Sequence, residues 1–379
     1  YQPKYFGHPR QIKLAAKAIG EAKKPVIIAG AGVIKSGAHE LLRELAEKCE
    51  IPVAMTLLGL GSIPSLHDLS LEMLGMHGTV YSNYAVHNSD LVIGIGMRFD
   101  DRITGDTEQF CPNAKVIHID IDPAEISKNI HADIPIVGDV KNVLIELLKE
   151  VSEKTNIDWL NQIKEWKNEY PLQYTKRDDE IRPQHAIETI SNITKGEAVI
   201  ITDVGQHQMW TAQYYKFNKA GNFCSSGGAG TMGYGVPGGM GAQVGRPNDI
   251  VVSIVGDGGF QMTSQELMTI MQYKLPVKTV ILNNGFLGMV RQWQEIFHSK
   301  RYSSVDLSMN PNFVKLGEAY GMTSIRIEKP EELESKLKEH LLSNEPVLIE
   351  IVVTKEDNVF PMIPAGKSVN ELMGKKGEL

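Results

Sequence analysis

The stretch that most restricts the fold is Val251–Val290, VVSIVGDGGFQMTSQELMTIMQYKLPVKTVILNNGFLGMV. Ile250–Val255 is an apolar run, the pattern of a strand buried on both faces of a parallel sheet. It ends in Gly256-Asp257-Gly258-Gly259. A helical pattern with Leu267, Ile270 and Met271 on one face follows, and a second apolar run, Val277–Leu282, ends in Asn283-Asn284-Gly285. Strand, helix and strand in this order make a crossover unit, and its right-handed form puts both carboxyl ends on one edge of the sheet. That edge is where open α/β sheets bind ligands. Asp257 and Asn284 are therefore expected to converge. One carboxylate, one amide oxygen and a backbone carbonyl suit a hard cation such as Mg²⁺, which also keeps ligands from phosphates and water. The glycines let phosphate oxygens approach the backbone closely. Either dipeptide alone, Asp-Gly or Asn-Gly, reads as a plain turn. The pair, each at the end of a strand, points to a site.

GDG and NN at this separation resemble the diphosphate–metal signature of thiamine-diphosphate enzymes. The wider text, GDGGFQMTSQEL and LNNGFLGMVRQWQ, resembles the catalytic subunit of the acetohydroxyacid synthase (acetolactate synthase) family. The resemblance implies that Asp257, Asn284 and the Phe286 carbonyl hold Mg²⁺. It implies that Gly256, Gly258, Gly259, Leu287, Gly288, Met289 and Val290 lie against thiamine diphosphate.

The rest of the chain alternates strands and helices. Pro25–Ala29, Val53–Met55, Leu91–Ile95, Val116–Ile121 and Ile136–Val137 read as strands with helices between most of them, a doubly wound parallel sheet. The expected organisation is α/β, with two doubly wound parallel-sheet domains. Residues 1–8 are a linker, 9–150 a middle FAD-binding-type domain, 151–183 a charged interdomain linker with a surface helix near Asp158–Glu169, 184–360 a thiamine-diphosphate (diphosphate and Mg²⁺) binding domain, and 361–379 a C-terminal arm. Acids and bases are interspersed and the net charge is −7, which gives no electrostatic case for nucleic acid. No run of about 18 apolar residues occurs, so no membrane span is expected. Cys49, Cys111 and Cys224 have no metal-type spacing. Their sparseness fits a reducing compartment, and the expected location is cytoplasmic. The sequence opens on Tyr1, so this terminus carries no reading of targeting signals.

In the first half, Gly30-Ala31-Gly32 is a strand-to-helix glycine turn without the full dinucleotide spacing. The loop Gly94–Arg102 packs Arg98, Asp100, Asp101 and Arg102 into five residues. It reads either as a solvated loop with local ion pairs or as a loop whose arginines meet a phosphate or carboxylate. The RFDDR loop with Ile103, together with Gly96 and Met97, is similar to the flavin loop of the same family. So are Thr56-Leu57 and Leu74-Gly75-Met76-His77. Asp120-Ile121 resembles the strand end whose acid meets an FAD ribose, and Asp139-Val140 the last flavin-contact turn. The resemblance implies FAD on this domain, and it places Arg102 near the carboxylate of the acceptor substrate.

In the second half, Ala198–Thr202 is a strand followed by Val204-Gly205-Gln206-His207. A histidine there is ordinarily a satisfied structural residue, but VGQHQMW resembles the family's thiamine-diphosphate contact. Ser226–Gly235 is a glycine-rich loop containing Gly230 and Met232. Met232 reads as core filler; by resemblance it sits beneath the cofactor and holds it bent. Trp293 reads as helix core or, by resemblance, shapes the pocket for the second 2-keto acid.

The implied reaction is decarboxylation of pyruvate on thiamine diphosphate. The hydroxyethyl unit then condenses with a second 2-keto acid, pyruvate or 2-oxobutyrate, in branched-chain amino acid biosynthesis. The family's activating glutamate lies in an N-terminal pyrimidine-binding domain, across a dimer interface. These 379 residues do not contain that domain, and Glu266 and Glu295 are not substitutes. The expected state is a homodimer or tetramer, with a regulatory small subunit as a further partner. Two alternatives stand beside this reading. One is another flavin-containing thiamine-diphosphate enzyme, of glyoxylate carboligase or pyruvate oxidase type, against which RFDDR and GMVRQWQ together count. The other is a non-catalytic nucleotide-binding fragment.

Overall fold

The computed structural model of the chain describes residues 2–376. It divides into two compact units. The first holds the chain up to Gln173, the short segment Asn218–Gly221 and the chain from Phe360 onward; the second holds Tyr174–Phe217 and Asn222–Val359.

The first unit is built on β1 (Pro25–Ala29), β2 (Val53–Met55), β3 (Ser70–Met73), β4 (Leu91–Ile95), β5 (Lys115–Asp120) and β6 (Ile134–Val137). They form one parallel sheet in the order β3-β2-β1-β4-β5-β6. β1 and β4 are buried along their whole length, as apolar runs without alternation require of central parallel strands. Val26, Ile28, Ala54, Val92 and Val116 pack one face against Leu71, Tyr81 and Ala85. Some helices start on a capping side chain. The helix Val80–His87 is capped by Thr79 and the helix Val140–Glu150 by Asp139, whose carboxylate accepts from Asn142 N–H at 3.3 Å.

Two stretches differ from expectation. The helix in the charged stretch, Ile157–Glu169, is not a surface element of a linker: Trp159 and Ile163, four residues apart, are buried in the first core. Trp159 also donates its indole N–H to Pro25 O at 3.1 Å. Two large apolar side chains one turn apart seat a helix even among many charges. The C-terminal arm belongs to the first unit, where Ile363, Val369 and Leu372 cluster with Val80, and Ile363 N–H donates to Met76 O at 2.8 Å.

The second unit is built on β7 (Val199–Thr202), β8 (Phe223–Ser225), β9 (Val251–Gly256), β10 (Lys278–Asn283), β11 (Thr323–Ile327) and β12 (Val347–Val352). All are parallel, in the order β11-β12-β10-β9-β7-β8. The chain runs outward from β7 to β8, then returns so that β9 pairs with the other side of β7. The sheet therefore changes direction of growth between β7 and β9, the place where doubly wound sheets open a crevice at their carboxyl edge. Val255, Ile281 and Leu348 meet Phe260, Leu267, Ile270 and Phe313 in the core on one face. The segment after β9 is two helices, Asp257–Thr263 and Glu266–Gln272, where one was expected.

Candidate active site

A cleft opens at the carboxyl edge of the second sheet, across the change of direction. Val204, Gly205, Gln206 and His207 reach it from the end of β7, and Gly256, Asp257, Gly258 and Gly259 from the end of β9. Asn284, Phe286, Leu287, Gly288, Met289 and Val290 reach it from the end of β10, and Val353 from the end of β12. Met232 enters from the glycine-rich loop. The Gly256–Gly259 and Asn284–Val290 segments thus share one cavity.

Asp257 is almost fully buried. Its Oδ1 accepts from Gly258 N–H at 3.0 Å and its Oδ2 from Asn310 Nδ2 at 2.7 Å. Burial pushes its carboxyl up to about 6, against the lowering effect of those bonds. A cation beside it would offset the desolvation that causes the rise. Asn284 is also buried, its Oδ1 accepting from Phe286 N–H at 3.1 Å with a lone pair to spare. Among the described residues no group of three or more His, Cys, Asp or Glu is arranged for a metal ion. A cation here would take one carboxylate with neutral oxygens, the donor set of an ion that also uses phosphate oxygens. The residues present fit Mg²⁺.

They also fit a diphosphate. The helices Gln206–Tyr214 and Gly288–Phe297 both start at the cleft, and neither has a side-chain cap on its first turn. A side chain at position 256 would press on the His207 ring at 2.9 Å, and one at 288 would collide with Gln206 Oε1, so glycine keeps these walls open. The His207 ring donates to Asp203 O, and burial lowers its pKa to about 4, leaving it neutral at pH 7. Among the described residues, His207 Nε2 and Trp210 Nε1 are buried at the cleft without a hydrogen-bond partner, which is unusual enough to mark a ligand site.

Asp203 organises the wall opposite. Fully buried, it accepts from Val204 N–H at 2.8 Å, from Gly233 N–H at 2.9 Å and from Gly235 N–H at 2.8 Å. It thereby fixes the glycine-rich loop and Met232. Asp203, Trp210, Leu282, Val353 and Asn310 were not singled out from the sequence. Asp203 alone had a legible signal, an acid at the carboxyl end of an apolar strand. Three expected residues stand outside this cleft's lining. Gly230 is exposed with φ +62°. Trp293 packs on Phe297 with ring centroids 5.0 Å apart, on the helix that carries Met289 and Val290. Arg102 belongs to the first unit, exposed and paired with Asp101 at 2.7 Å.

The remaining expected residues lie at the carboxyl ends of the first unit's strands. Gly30 N–H donates to Ile95 O at 3.0 Å and Gly32 N–H to Gly96 O at 2.9 Å, so the turns after β1 and β4 touch. A side chain on Gly30 would collide with Gly96 O, so these glycines are required by turn-to-turn packing. Thr56 and Leu57 follow β2, and Leu74, Gly75, Met76 and His77 follow β3. Met76 N–H donates to Arg102 O at 2.8 Å, joining that turn to the RFDDR segment. Met97 is buried and Arg98 pairs with Asp100, the local ion pairing the sequence also allowed. Asp101–Thr104, containing Ile103, is one helical turn. Asp120 ends β5 and Ile121 follows it, and burial raises the Asp120 carboxyl. Asp139 and Val140 open the helix after β6. The sheet changes direction between β1 and β4, so the residues present fit a dinucleotide at that edge.

Residues 12–147 match the family model described as thiamine pyrophosphate enzyme, central domain, and residues 203–351 the one described as thiamine pyrophosphate enzyme, C-terminal TPP binding domain. The acetolactate synthase isozyme 3 large subunit of Escherichia coli (strain K12) is 45% identical over 388 residues, covering 100% of this chain and 68% of the relative. The chain belongs to the acetolactate synthase large-subunit family. Two further relatives agree. The probable acetolactate synthase large subunit of Methanocaldococcus jannaschii is 49% identical over 98% of this chain and 64% of its own length. The acetolactate synthase large subunit of Haemophilus influenzae is 46% identical over 99% and 67%. The chain thus spans about two thirds of the length of these acetolactate synthase subunits. Among the described residues, no helix is long and apolar enough to cross a membrane.

Proposed function

We propose that this chain forms the diphosphate and Mg²⁺ end of the thiamine-diphosphate site of an acetolactate synthase catalytic subunit, together with its FAD domain. The substrates are pyruvate and a second 2-keto acid, pyruvate or 2-oxobutyrate. The observation that carries this reading is the convergence of Gly256–Gly259 and Asn284–Val290 on one cleft with His207 and Met232. When bound, thiamine diphosphate supplies the electron sink for loss of CO₂ from pyruvate.

The chain's own residues bind and orient. Asp257, Asn284 and the Phe286 carbonyl hold Mg²⁺, and Val204–His207 and the first turn at Gly288 meet the diphosphate. Met232, Leu287, Met289 and Val290 line the same cleft and would supply the apolar contacts of the cofactor's rings. Trp293, on the helix that carries Met289 and Val290, would meet the acceptor's side chain. The net reaction exchanges no electrons, so FAD on the first unit is structural. The working protein is a cytoplasmic homo-oligomer joined by a regulatory small subunit, as the relatives' designation of large subunit suggests.

The test is Asp257→Ala in the complete subunit, with thiamine diphosphate and Mg²⁺ titrated by calorimetry. Mg²⁺-dependent cofactor binding is expected to vanish while the thermal transition is retained. Unchanged cofactor affinity would overturn the assignment.

A further inference from the structure

Behind Asp257 lies a network of side-chain contacts that the cleft lining does not include. Asn310 lies on a loop that is stitched to the segment after β10. Leu307 N–H donates to Gly285 O at 2.8 Å and Leu287 N–H to Val305 O at 2.9 Å, with Phe286 and Asp306 facing each other across the bridge. From this brace the Asn310 amide makes three contacts. Its Nδ2 donates to Asp257 Oδ2 at 2.7 Å and to Asn283 Oδ1 at 3.4 Å, and its Oδ1 accepts from Gln261 Nε2 at 2.7 Å. One side chain therefore ties the start of the helix after β9 to the end of β10.

The geometry leaves the amide one orientation, since a flip would set its oxygen against two acceptors, Asp257 Oδ2 and Asn283 Oδ1. Asn283 is held in turn: its Nδ2 donates to Glu350 Oε1 at 2.8 Å and its Oδ1 accepts from Gly285 N–H at 3.0 Å. Glu350, buried on β12, accepts from Arg326 Nε at 2.8 Å. A continuous chain of side chains runs from Arg326 through Glu350, Asn283 and Asn310 to Asp257.

We propose that Asn310 is a positioning residue for the cation site: it fixes the rotamer of the Asp257 carboxylate and the spacing of the two segments that carry Asp257, Asn284 and Phe286. This rests on the reading that Asp257 ligates Mg²⁺. Polar partners of metal ligands contribute through orientation, and removing one costs metal affinity about 10-fold or more. Gln261 Nε2 meets the far side of the Asn310 amide at 2.7 Å and reaches Asp257 only at its backbone carbonyl, at 3.2 Å, so its loss leaves the bonds of the carboxylate in place and weakens the site less.

The test is calorimetric titration of Mg²⁺ into the complete subunit with saturating thiamine diphosphate, for wild type, Asn310→Ala, Asn310→Ser, Gln261→Ala and Asp257→Ala, with thermal melts as the folding control. A hydroxyl is too short to span both segments, so Asn310→Ser is a second probe should the alanine variant fold poorly. About a 10-fold loss of Mg²⁺ affinity is expected at position 310 in a variant that melts normally, and under about 3-fold for Gln261→Ala. If both Asn310 variants keep wild-type Mg²⁺ affinity while Asp257→Ala abolishes binding, the positioning role is overturned and the metal reading stands. If Asp257→Ala also leaves Mg²⁺ affinity unchanged, the metal reading fails, and the role of Asn310 with it.

Discussion

Replacing Asp203 by Asn changes one atom and tests the account of the glycine-rich loop. In the wild-type chain three backbone donors converge on this buried side chain: Val204 on Oδ1, Gly235 on Oδ2, and Gly233 reaching both, at 3.1 and 2.9 Å. An amide must put its NH₂ where one of those oxygens was. If nitrogen replaces Oδ2, Gly233 loses its shorter bond and Gly235 its bond; if it replaces Oδ1, only Val204 is orphaned. The second arrangement is the cheaper. One buried N–H without a partner costs about 1–3 kcal/mol, so about 2 kcal/mol is expected for Asp203→Asn. Asp203→Ala orphans all three donors and is expected to cost about 5 kcal/mol. For a unit of this size, about 2 kcal/mol lowers the melting transition by about 4–8 °C. The assay is differential scanning calorimetry of the three proteins beside titration with thiamine diphosphate. Release of the loop frees Met232, so affinity is expected to fall with stability. An Asn variant with wild-type melting and wild-type affinity, or an Ala variant no worse than Asn, would refute the reasoning.

Two further outcomes are expected. Burial lowers the pKa of His77 to about 4, the nearby Arg102 acting in the same direction and the bond to Pro361 O against it. The unfolded chain takes up a proton near pH 6.5 that the folded one refuses, so the stabilisation is complete above pH 6.5. It is lost as pH falls toward 4, about 3 kcal/mol in all. Urea midpoints measured from pH 7.5 to 4.5 are expected to fall less steeply for His77→Gln than for wild type; parallel curves would reject the assignment. Trp293→Leu is expected to narrow a preference for 2-oxobutyrate over pyruvate by about 1–3 kcal/mol in transition-state energy. Competition assays with both acceptors measure this, and an unaltered product ratio would count against it.

The central strands were legible because Pro25–Ala29, Leu91–Ile95 and Val251–Val255 are predominantly apolar runs followed by glycine turns. β3 and β8 were not, because edge strands of three or four residues with Ser and Glu among them have no periodicity to read. The helix with Trp159 was placed correctly but taken for a surface element, since charge dominates its composition while two residues decide its burial. In the site, the motifs at 204–207, 256–259 and 284–290 were readable as loops after strands. Asn310 was not, and Asp203 only as an acid at a strand end, because what they do depends on where a remote backbone amide or carboxylate comes to lie. Trp293 shares a helix with Met289 and Val290 but stands outside the cleft lining. Proximity in sequence to a pocket residue places a helix, not its faces.

The change of direction between β7 and β9 also sets a timetable for synthesis. Domains fold largely as units while the chain emerges at about 5–20 residues per second. The β7 loop with His207 leaves first, then Met232, and Asp257 becomes its neighbour only when β9 inserts beside β7 on the side away from β8. Asn310, which braces the two later segments, and Val353, which follows β12, arrive last. A nascent chain paused before β12 would already display Asp257 and Asn284, yet lack the Glu350 that holds Asn283 in register. Cofactor capture in this unit therefore waits on the ribosome finishing it.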